Sequence, residues 1–187
     1  MPMFDADSAD APTERMDVEP NRLTRPVWQR EPVNVYVHVP FCPQRCGYCN
    51  FALIAGRGDL VESYLQALEC ELRLKLGTPS TPKNISTLFF GGGTPTFLSP
   101  SQVERLISIL RLWYSWEPAN ADWECTVEAN PNDLNPDLIA CWRAFGVNRF
   151  SLGAQSFQSD KLRRLERTHS GDDVCRAAEL VVLRSRA

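Results

Sequence analysis

The chain has 187 residues, 43% of them hydrophobic and 23% charged, which is enough for one ordinary globular domain and too few for two. Its formal net charge of -3 gives no general basic field, so we expect no nucleic-acid partner. The sequence has no apolar run of the roughly 18 residues that a membrane span needs, so we expect no membrane insertion.

Residues 1–32 differ from the rest of the chain in composition. They carry five prolines among many charged residues and show no sustained period of a helix or a strand. We predict a disordered, acidic and proline-rich leader over residues 1–32. Acidic residues from Asp5 onward do not match a signal or transit peptide, which predicts a cytoplasmic protein.

From residue 33 onward, strand patterns alternate with helix patterns. Apolar alternation and β-branched residues predict strands over 33–39, 87–90, 123–129 and 148–153. Amphipathic periodicity and capping residues predict a helix after each strand, with two helices after the last one. The predicted helices run from the N-cap Asp59 to Gly77, from Ser99 with Gln102 completing a capping box, from Asn135 to Gly146, over 159–167, and over 170–185.

This order of elements predicts an α/β fold of parallel βα units. In such folds the chemistry gathers at the carboxyl ends of the strands. We therefore expect the functional residues in the segments that directly follow each predicted strand.

Seven cysteines are unevenly distributed along the chain. Three of them, Cys42, Cys46 and Cys49, lie within eight residues, in what we call the cysteine loop (residues 41–49). An odd number with this clustering does not fit a secreted disulfide framework. We expect the other four, Cys70, Cys125, Cys141 and Cys175, to act mostly as small buried hydrophobic residues.

The spacing C-x3-C-x2-C, directly after a strand, predicts a metal site on Cys42, Cys46 and Cys49. A structural zinc ion prefers four protein ligands, so a zinc site would need a further ligand such as His38. A cubane iron-sulfur cluster normally takes four cysteines. With three, its fourth iron stays open to an external ligand with amino and carboxylate donors.

Five motifs together resemble one branch of the radical S-adenosylmethionine (SAM) superfamily. They are YVHVPFC at 36–42, GGGTPT at 91–96, EANP at 128–131, GAQS at 153–156 and LERTH at 165–169. The branch is the oxygen-independent coproporphyrinogen III oxidase family, which includes the HemW-like haem chaperones. The resemblance implies a partial (βα) barrel of the radical SAM type, with about four βα units over residues 33–187.

The resemblance also implies the cofactors and their contacts. A 4Fe-4S cluster would bind Cys42, Cys46 and Cys49, and its free iron would chelate S-adenosyl-L-methionine and cleave it reductively. The implied cofactor contacts are Tyr36, Tyr48, Gly92, Gly93, Thr94, Glu128, Gln155 and Arg167.

The glycine-rich segment at 91–96 lacks the residues of a P-loop or a dinucleotide fold, so we expect no phosphate site there. We interpret His38 as a hydrogen-bonded structural or near-cluster residue rather than a ligand.

Residues 50 and 51 separate the branches of the family. Coproporphyrinogen oxidases carry a further cysteine two positions after the third cluster cysteine, whereas this chain has Asn50 and Phe51 there. HemW-like proteins usually have Asp-Phe, so the resemblance favours the haem-chaperone branch. It implies porphyrin or haem as a partner, and haem as a further ligand. It also implies an electron donor such as flavodoxin or ferredoxin. The alternatives are an oxidase that decarboxylates coproporphyrinogen III, and an inactive fragment.

Family members have six barrel units and a C-terminal domain, whereas we predict four strands here. We therefore expect a truncated chain, in which 33–187 is the N-terminal part of a radical SAM core domain.

Overall fold

The computed structural model describes residues 34–119 and 122–183. The predicted leader over residues 1–32, residue 33 of the first predicted strand and the last residues of the final predicted helix lie outside the described residues. None of the described helices is both long and apolar enough to cross a membrane.

Four parallel strands form the main sheet, and each predicted strand is confirmed to within two residues at its ends. They are β1 (Asn34–Val39), β5 (Thr87–Gly92), β7 (Glu124–Ala129) and β8 (Arg149–Leu152). Two-residue strands pair outside this sheet: β2 (Phe41–Cys42) with β3 (Ile54–Ala55), and β4 (Lys83–Asn84) with β6 (Tyr114–Ser115).

The main sheet has the order β1-β5-β7-β8, so each strand lies beside the next one along the chain. A doubly wound sheet would instead reverse its order at a switch point. Sequential parallel strands, each followed by a helix, are the arrangement of a βα barrel. The fold is therefore a partial (βα) barrel with four βα units, as predicted.

Five α-helices follow the main strands: α1 (Val61–Leu76), α2 (Pro100–Arg111), α3 (Pro136–Ala144), α4 (Ser159–Arg164) and α5 (Gly171–Leu183). Short 3₁₀ turns occupy Gly58–Leu60, Pro95–Phe97 and Pro131–Asp133. The predicted capping box at Ser99 and Gln102 is present, and the Asn135 side chain accepts from the Leu138 amide at 2.9 Å. Local capping chemistry thus sets where α2 and α3 begin.

Two predicted helix ends are wrong. Asp59 does not cap α1, because its carboxylate bonds the Arg57 guanidinium at 2.8 and 2.7 Å within the 3₁₀ turn, and Leu60 precedes the helix without a side-chain cap. The helix predicted over 159–167 ends at Arg164, since the chain turns at Glu166 with a φ of 54°. This turn breaks the helical hydrogen-bond pattern.

One face of the sheet packs against the helices and forms the main core. Val37, Phe90 and Val127 point to that side and are at most 4% exposed, among helix residues such as Leu65 and Trp142. Alternate residues point to the other face, where the strand register aligns Tyr36 with Phe89 and His38 with Gly91. That second face and the carboxyl ends of its strands hold the candidate site.

The four scattered cysteines only partly match the prediction. Cys125 is fully buried in β7 and Cys141 is half-buried, whereas Cys70 and Cys175 are exposed on α1 and α5. The amphipathic period places these two helix positions on the solvent side.

Candidate functional site

A cavity of about 530 Å³ opens at the carboxyl ends of the four main strands. Its walls include segments that follow β1, β5, β7 and β8, because the carboxyl ends of parallel strands meet at one edge of a sheet. Ten of the eleven predicted site residues line it: Cys42, Cys46, Tyr48, Cys49, Gly92, Gly93, Thr94, Glu128, Gln155 and Arg167.

The eleventh, Tyr36, is not among the lining residues of this cavity. Its ring stacks on Phe89 with 5.8 Å between centroids, and its side chain is 55% exposed. Burial, with a smaller contribution from the Glu128 charge, raises the pKa of its hydroxyl. Tyr36 therefore lies beside the Glu128 wall rather than inside the cavity.

His38 is held within the protein, in agreement with its structural interpretation. Its Nε2 lies 2.8 Å from the carbonyl oxygen of Ala52, which can only accept, and its Nδ1 lies 3.3 Å from the Tyr36 hydroxyl. The ring also packs over Gly92. His38 thus ties β1 to the segment that follows the cysteine loop.

The cysteine loop is anchored at Cys42, the most buried of its three thiols. The Cys42 Sγ lies 3.2 Å from the Thr94 hydroxyl, and burial raises the pKa of this thiol even though that contact opposes the shift. The Thr94 amide donates to the Phe41 carbonyl at 2.7 Å. Thr94 therefore holds the start of the loop through both its backbone and its side chain.

The glycine-rich segment is shaped by packing between protein groups. A Cβ atom on Gly93 would lie 2.6 Å from the Phe41 carbonyl oxygen, and one on Gly92 would lie 2.7 Å from the His38 ring. Gly92 also has a φ of 111°, which side-chain-bearing residues rarely adopt. The absence of a side chain at both positions is therefore required by Phe41 and His38, whether or not a cofactor is bound.

Glu128 and Gln155 occupy the ends of two neighbouring strands, as predicted. The Glu128 carboxylate accepts from the Gly92 amide at 3.1 Å, which joins the ends of β5 and β7. Gln155 follows β8 with a φ of 63°, a left-handed conformation that is strained for this residue type. Strained backbone of this kind tends to cluster at binding sites.

Arg167 connects most parts of the site. Its guanidinium donates to the Cys46 Sγ at 3.3 Å, the Asn130 side-chain oxygen at 2.7 Å and the Gly153 carbonyl at 2.8 Å. It also faces Tyr48, whose hydroxyl has a pKa raised by burial and lowered in part by this positive charge. The sequence predicted Arg167 as a site residue but not these contacts.

Asp133 and Asn130 line the cavity although the sequence did not predict them as site residues. Burial raises the pKa of the Asp133 carboxyl, although the Asn130 amide, the Arg167 charge and Thr96 all act against the shift. One carboxyl oxygen accepts from Asn130 at 3.2 Å, and the other is buried with no hydrogen-bond partner among the described residues. The available signal was their position just past the end of β7, where Asn130 follows Ala129 and Asp133 ends the next 3₁₀ turn.

The residues fit the cofactors that the sequence predicted. Three thiols line one cavity together with a carboxylate, an amide and a guanidinium, which suit amino, hydroxyl and carboxylate groups of a ligand. In the described parts of the chain, no three His, Cys, Asp or Glu side chains are close enough to hold one metal ion. A cubane cluster does not require this convergence, because each of its cysteines binds a different iron.

Comparison with known proteins agrees with this geometry. A family model described as "Radical SAM superfamily" matches residues 36–183. The chain is 37% identical over 154 residues to the heme chaperone HemW of Escherichia coli (strain K12), covering 80% of this chain and 39% of that protein. It is 35% identical over 141 residues to the oxygen-independent coproporphyrinogen III oxidase of Salmonella typhimurium, covering 75% of this chain and 30% of that protein.

The fold shows the same relationship. The structure of coproporphyrinogen III oxidase (HemN) from Escherichia coli, a radical SAM enzyme, superposes with a TM-score of 0.71 at 32% identity, covering 82% of this chain and 35% of that one. The chain thus spans less than two fifths of the length of these relatives. A match to the radical SAM superfamily implies a 4Fe-4S cluster and SAM as cofactors. On the family match, the strand order and the position of the cavity, the chain belongs to the radical SAM superfamily.

Proposed function

We propose that Cys42, Cys46 and Cys49 hold a 4Fe-4S cluster whose remaining iron binds SAM within the cavity. The supporting observation is that all three thiols line one cavity with residues from the ends of four parallel strands. When bound, the reduced cluster supplies the electron that cleaves SAM. The residues of the chain bind and orient the cofactors.

In this proposal the cavity residues divide by chemistry. Glu128 accepts hydrogen bonds from the hydroxyl groups of the cofactor, and Gln155 accepts from them or donates to them. Arg167 places a positive charge near its carboxylate. Gly92, Gly93 and Thr94 form the wall beside Cys42, where backbone groups face the amino group. Tyr48 lines the cavity and Tyr36 lies beside its Glu128 wall, where they contact the adenosyl part or flank the cluster.

We further propose a role in porphyrin or haem metabolism, as part of a haem chaperone that takes haem as a ligand. Asn50 and Phe51 support this, because an oxidase of the family has a cysteine where Phe51 stands. Phe51 is 60% exposed and lines the cavity, so an apolar ring faces the site instead of a thiol. An external one-electron donor such as flavodoxin or ferredoxin completes the proposal, in the cytoplasm, where thiols stay reduced.

Oxidation of coproporphyrinogen III is the second candidate function, with the chain as part of a radical SAM oxidoreductase. It is favoured by the fold, since the superposition on HemN has a TM-score of 0.71. The two functions share the cluster and the SAM cavity and differ in what happens to the porphyrin.

Anaerobic reconstitution with iron and sulfide tests the cluster. We expect bound iron and sulfide in the wild type and an EPR signal that changes when SAM is added. Cys46→Ala should abolish cluster binding, whereas Cys70→Ala, which removes an exposed thiol on α1, should leave it intact. Equal losses in the two variants, or a colourless protein that holds only zinc, would overturn the proposal.

Two further readouts separate the candidate functions. A stable haem absorption band without turnover favours the chaperone. Release of 5'-deoxyadenosine with coproporphyrinogen, and loss of carboxyl groups from it, favours the oxidase.

A further inference from the structure

The turn between α4 and α5 contacts the cysteine loop at Gln44, Cys46 and Gly47. The Gln44 side-chain Nε2 donates to the Glu166 carbonyl at 3.2 Å, and Arg167 Nη1 donates to the Cys46 Sγ at 3.3 Å. The Glu166 carboxyl group lies over Gly47, where a Cβ atom would come within 2.9 Å of it. Two consecutive residues of the turn therefore hold the middle of a loop more than a hundred residues away in sequence.

Arg167 connects this contact to the rigid part of the fold. Its Nη2 donates both to Asn130, which follows β7, and to the Gly153 carbonyl, which follows β8. The guanidinium is planar, so fixing Nη2 at two acceptors also fixes the direction of Nη1. That direction leads to the Cys46 sulfur.

The backbone at Glu166 has a conformation that presents Arg167 to the site. Its φ of 54° is uncommon for a residue with a side chain and carries a conformational cost. The Arg167 amide returns to the Leu162 carbonyl at 2.9 Å, which closes the turn against the end of α4. Strain that persists at a cavity wall is a reason to look for a role in the site.

We propose that Arg167 is a positioning residue for Cys46. Its guanidinium ties the cysteine loop to the ends of β7 and β8 and orients the Cys46 sulfur. This inference rests on the proposed function in one respect: with a cluster bound, the N–H···S contact stabilises the more negative, reduced state and raises the reduction potential.

This role is distinct from binding the carboxylate of SAM. Both Nη2 hydrogens are directed at protein acceptors, and Nε is buried with no partner among the described residues. The donors left for a ligand are therefore on Nη1, beside Cys46. A residue that served only SAM would leave the loop and the cluster unchanged in the absence of SAM.

The first test uses cluster-free protein and NMR-detected hydrogen exchange. The Cys49 amide donates to the Cys46 carbonyl at 3.0 Å, so its exchange reports on the middle of the loop. Arg167→Gln should speed exchange at this amide about tenfold, since a hydrogen bond to a charged group is lost. Arg167→Lys should not restore protection, because an ammonium cannot bond the three acceptors in one plane. Arg163→Gln, an exposed arginine on α4, should leave exchange unchanged.

The second test measures the reduction potential of the reconstituted cluster without SAM. Arg167→Gln should shift it to a more negative value, Arg167→Lys should shift it less, and Arg163→Gln should match the wild type. Unchanged exchange and an unchanged potential, with loss only of the SAM-induced EPR change, would show that Arg167 serves SAM alone and would overturn the inference.

The outcomes also separate this inference from the proposed function. If the wild type binds no cluster, the proposed function fails, while the exchange experiment still decides whether Arg167 holds the loop. If Arg167→Gln does not fold, the Arg167→Lys variant decides both measurements.

Discussion

The fold opposes ionisation of the Asp133 carboxyl, which lines the cavity. It lies in the last position of a 3₁₀ turn, half-buried, and burial raises its pKa above the ordinary value of 3.8. The nearby Arg167 charge and Asn130 amide reduce the shift without cancelling it. A carboxyl that favours its protonated form costs stability once it is charged.

We therefore expect Asp133→Asn to stabilise the cluster-free protein at neutral pH. In the wild type, the unfolded chain releases this proton near pH 3.8 and the folded chain only at higher pH. Stability is therefore lost as pH rises through the folded pKa, and an amide avoids this loss. In urea unfolding at a series of pH values, the free energy of unfolding of Asp133→Asn should increasingly exceed that of the wild type from about pH 4 upward. Asp160→Asn, which changes an exposed carboxylate, should show no such trend. The prediction would be contradicted if the stabilities of the wild type and Asp133→Asn changed with pH in the same way.

Gly93 was correctly predicted to line the site, but packing against the backbone is what requires a glycine there. The motif predicted it as part of the site, and it does line the cavity. Its lack of a side chain is required by the Phe41 carbonyl oxygen and the carbon of Pro40, 2.6 and 2.9 Å from where a Cβ would be. Both are backbone atoms, so they cannot move aside easily.

We expect Gly93→Ala to destabilise the protein by about 1–3 kcal/mol, the cost of overpacking at a site that cannot relax. The measurement is the free energy of unfolding in urea without cofactors. Gly58→Ala is the matched control, because its nearest neighbour would be the tip of the Phe97 ring at 3.4 Å. Similar losses in both variants would mean that the contact with Phe41 is not what requires glycine.

At the scale of single elements, local capping chemistry sets the start of α2. The Ser99 hydroxyl accepts from the Gln102 amide at 3.4 Å, and the Gln102 side chain accepts from the Ser99 amide at 3.0 Å. These partners are three residues apart, so the sequence was sufficient to predict them. The predicted start of α1 at Asp59 was wrong because the Asp59 carboxylate accepts from Arg57, two residues earlier, instead of capping the helix.

Ser99→Ala should lower the stability of the folded chain by about 1 kcal/mol, because it removes the hydroxyl that accepts from the Gln102 amide. The midpoint of urea unfolding, with an unchanged slope, would report it. Ser108→Ala lies within the same helix, where its hydroxyl bonds the Glu104 carbonyl, and should have little effect because alanine favours helix. A loss in Ser108→Ala as large as in Ser99→Ala would argue against a capping effect.

At the scale of the whole molecule, the sheet order explains why one cavity collects so many motifs. The motifs that begin near residues 36, 91, 128 and 153 each lie at the end of one strand, and the order β1-β5-β7-β8 places those ends side by side. The LERTH segment joins them from the turn after α4, through the contacts of Arg167. The described sheet is open at β1 and β8, as expected for a partial barrel.

Sequence by itself determined the βα order, most element boundaries and the cysteine loop, because periodicity, caps and C-x3-C-x2-C spacing act over a few residues. It also indicated the family, through short motifs at strand ends. Only the tertiary structure decided that Arg167 bonds Cys46, that Gly93 is required by Phe41, that Tyr36 lies outside the cavity and that Asp133 lies within it. Those contacts join residues far apart in the chain, and they depend on strand register and backbone turns that no local pattern encodes.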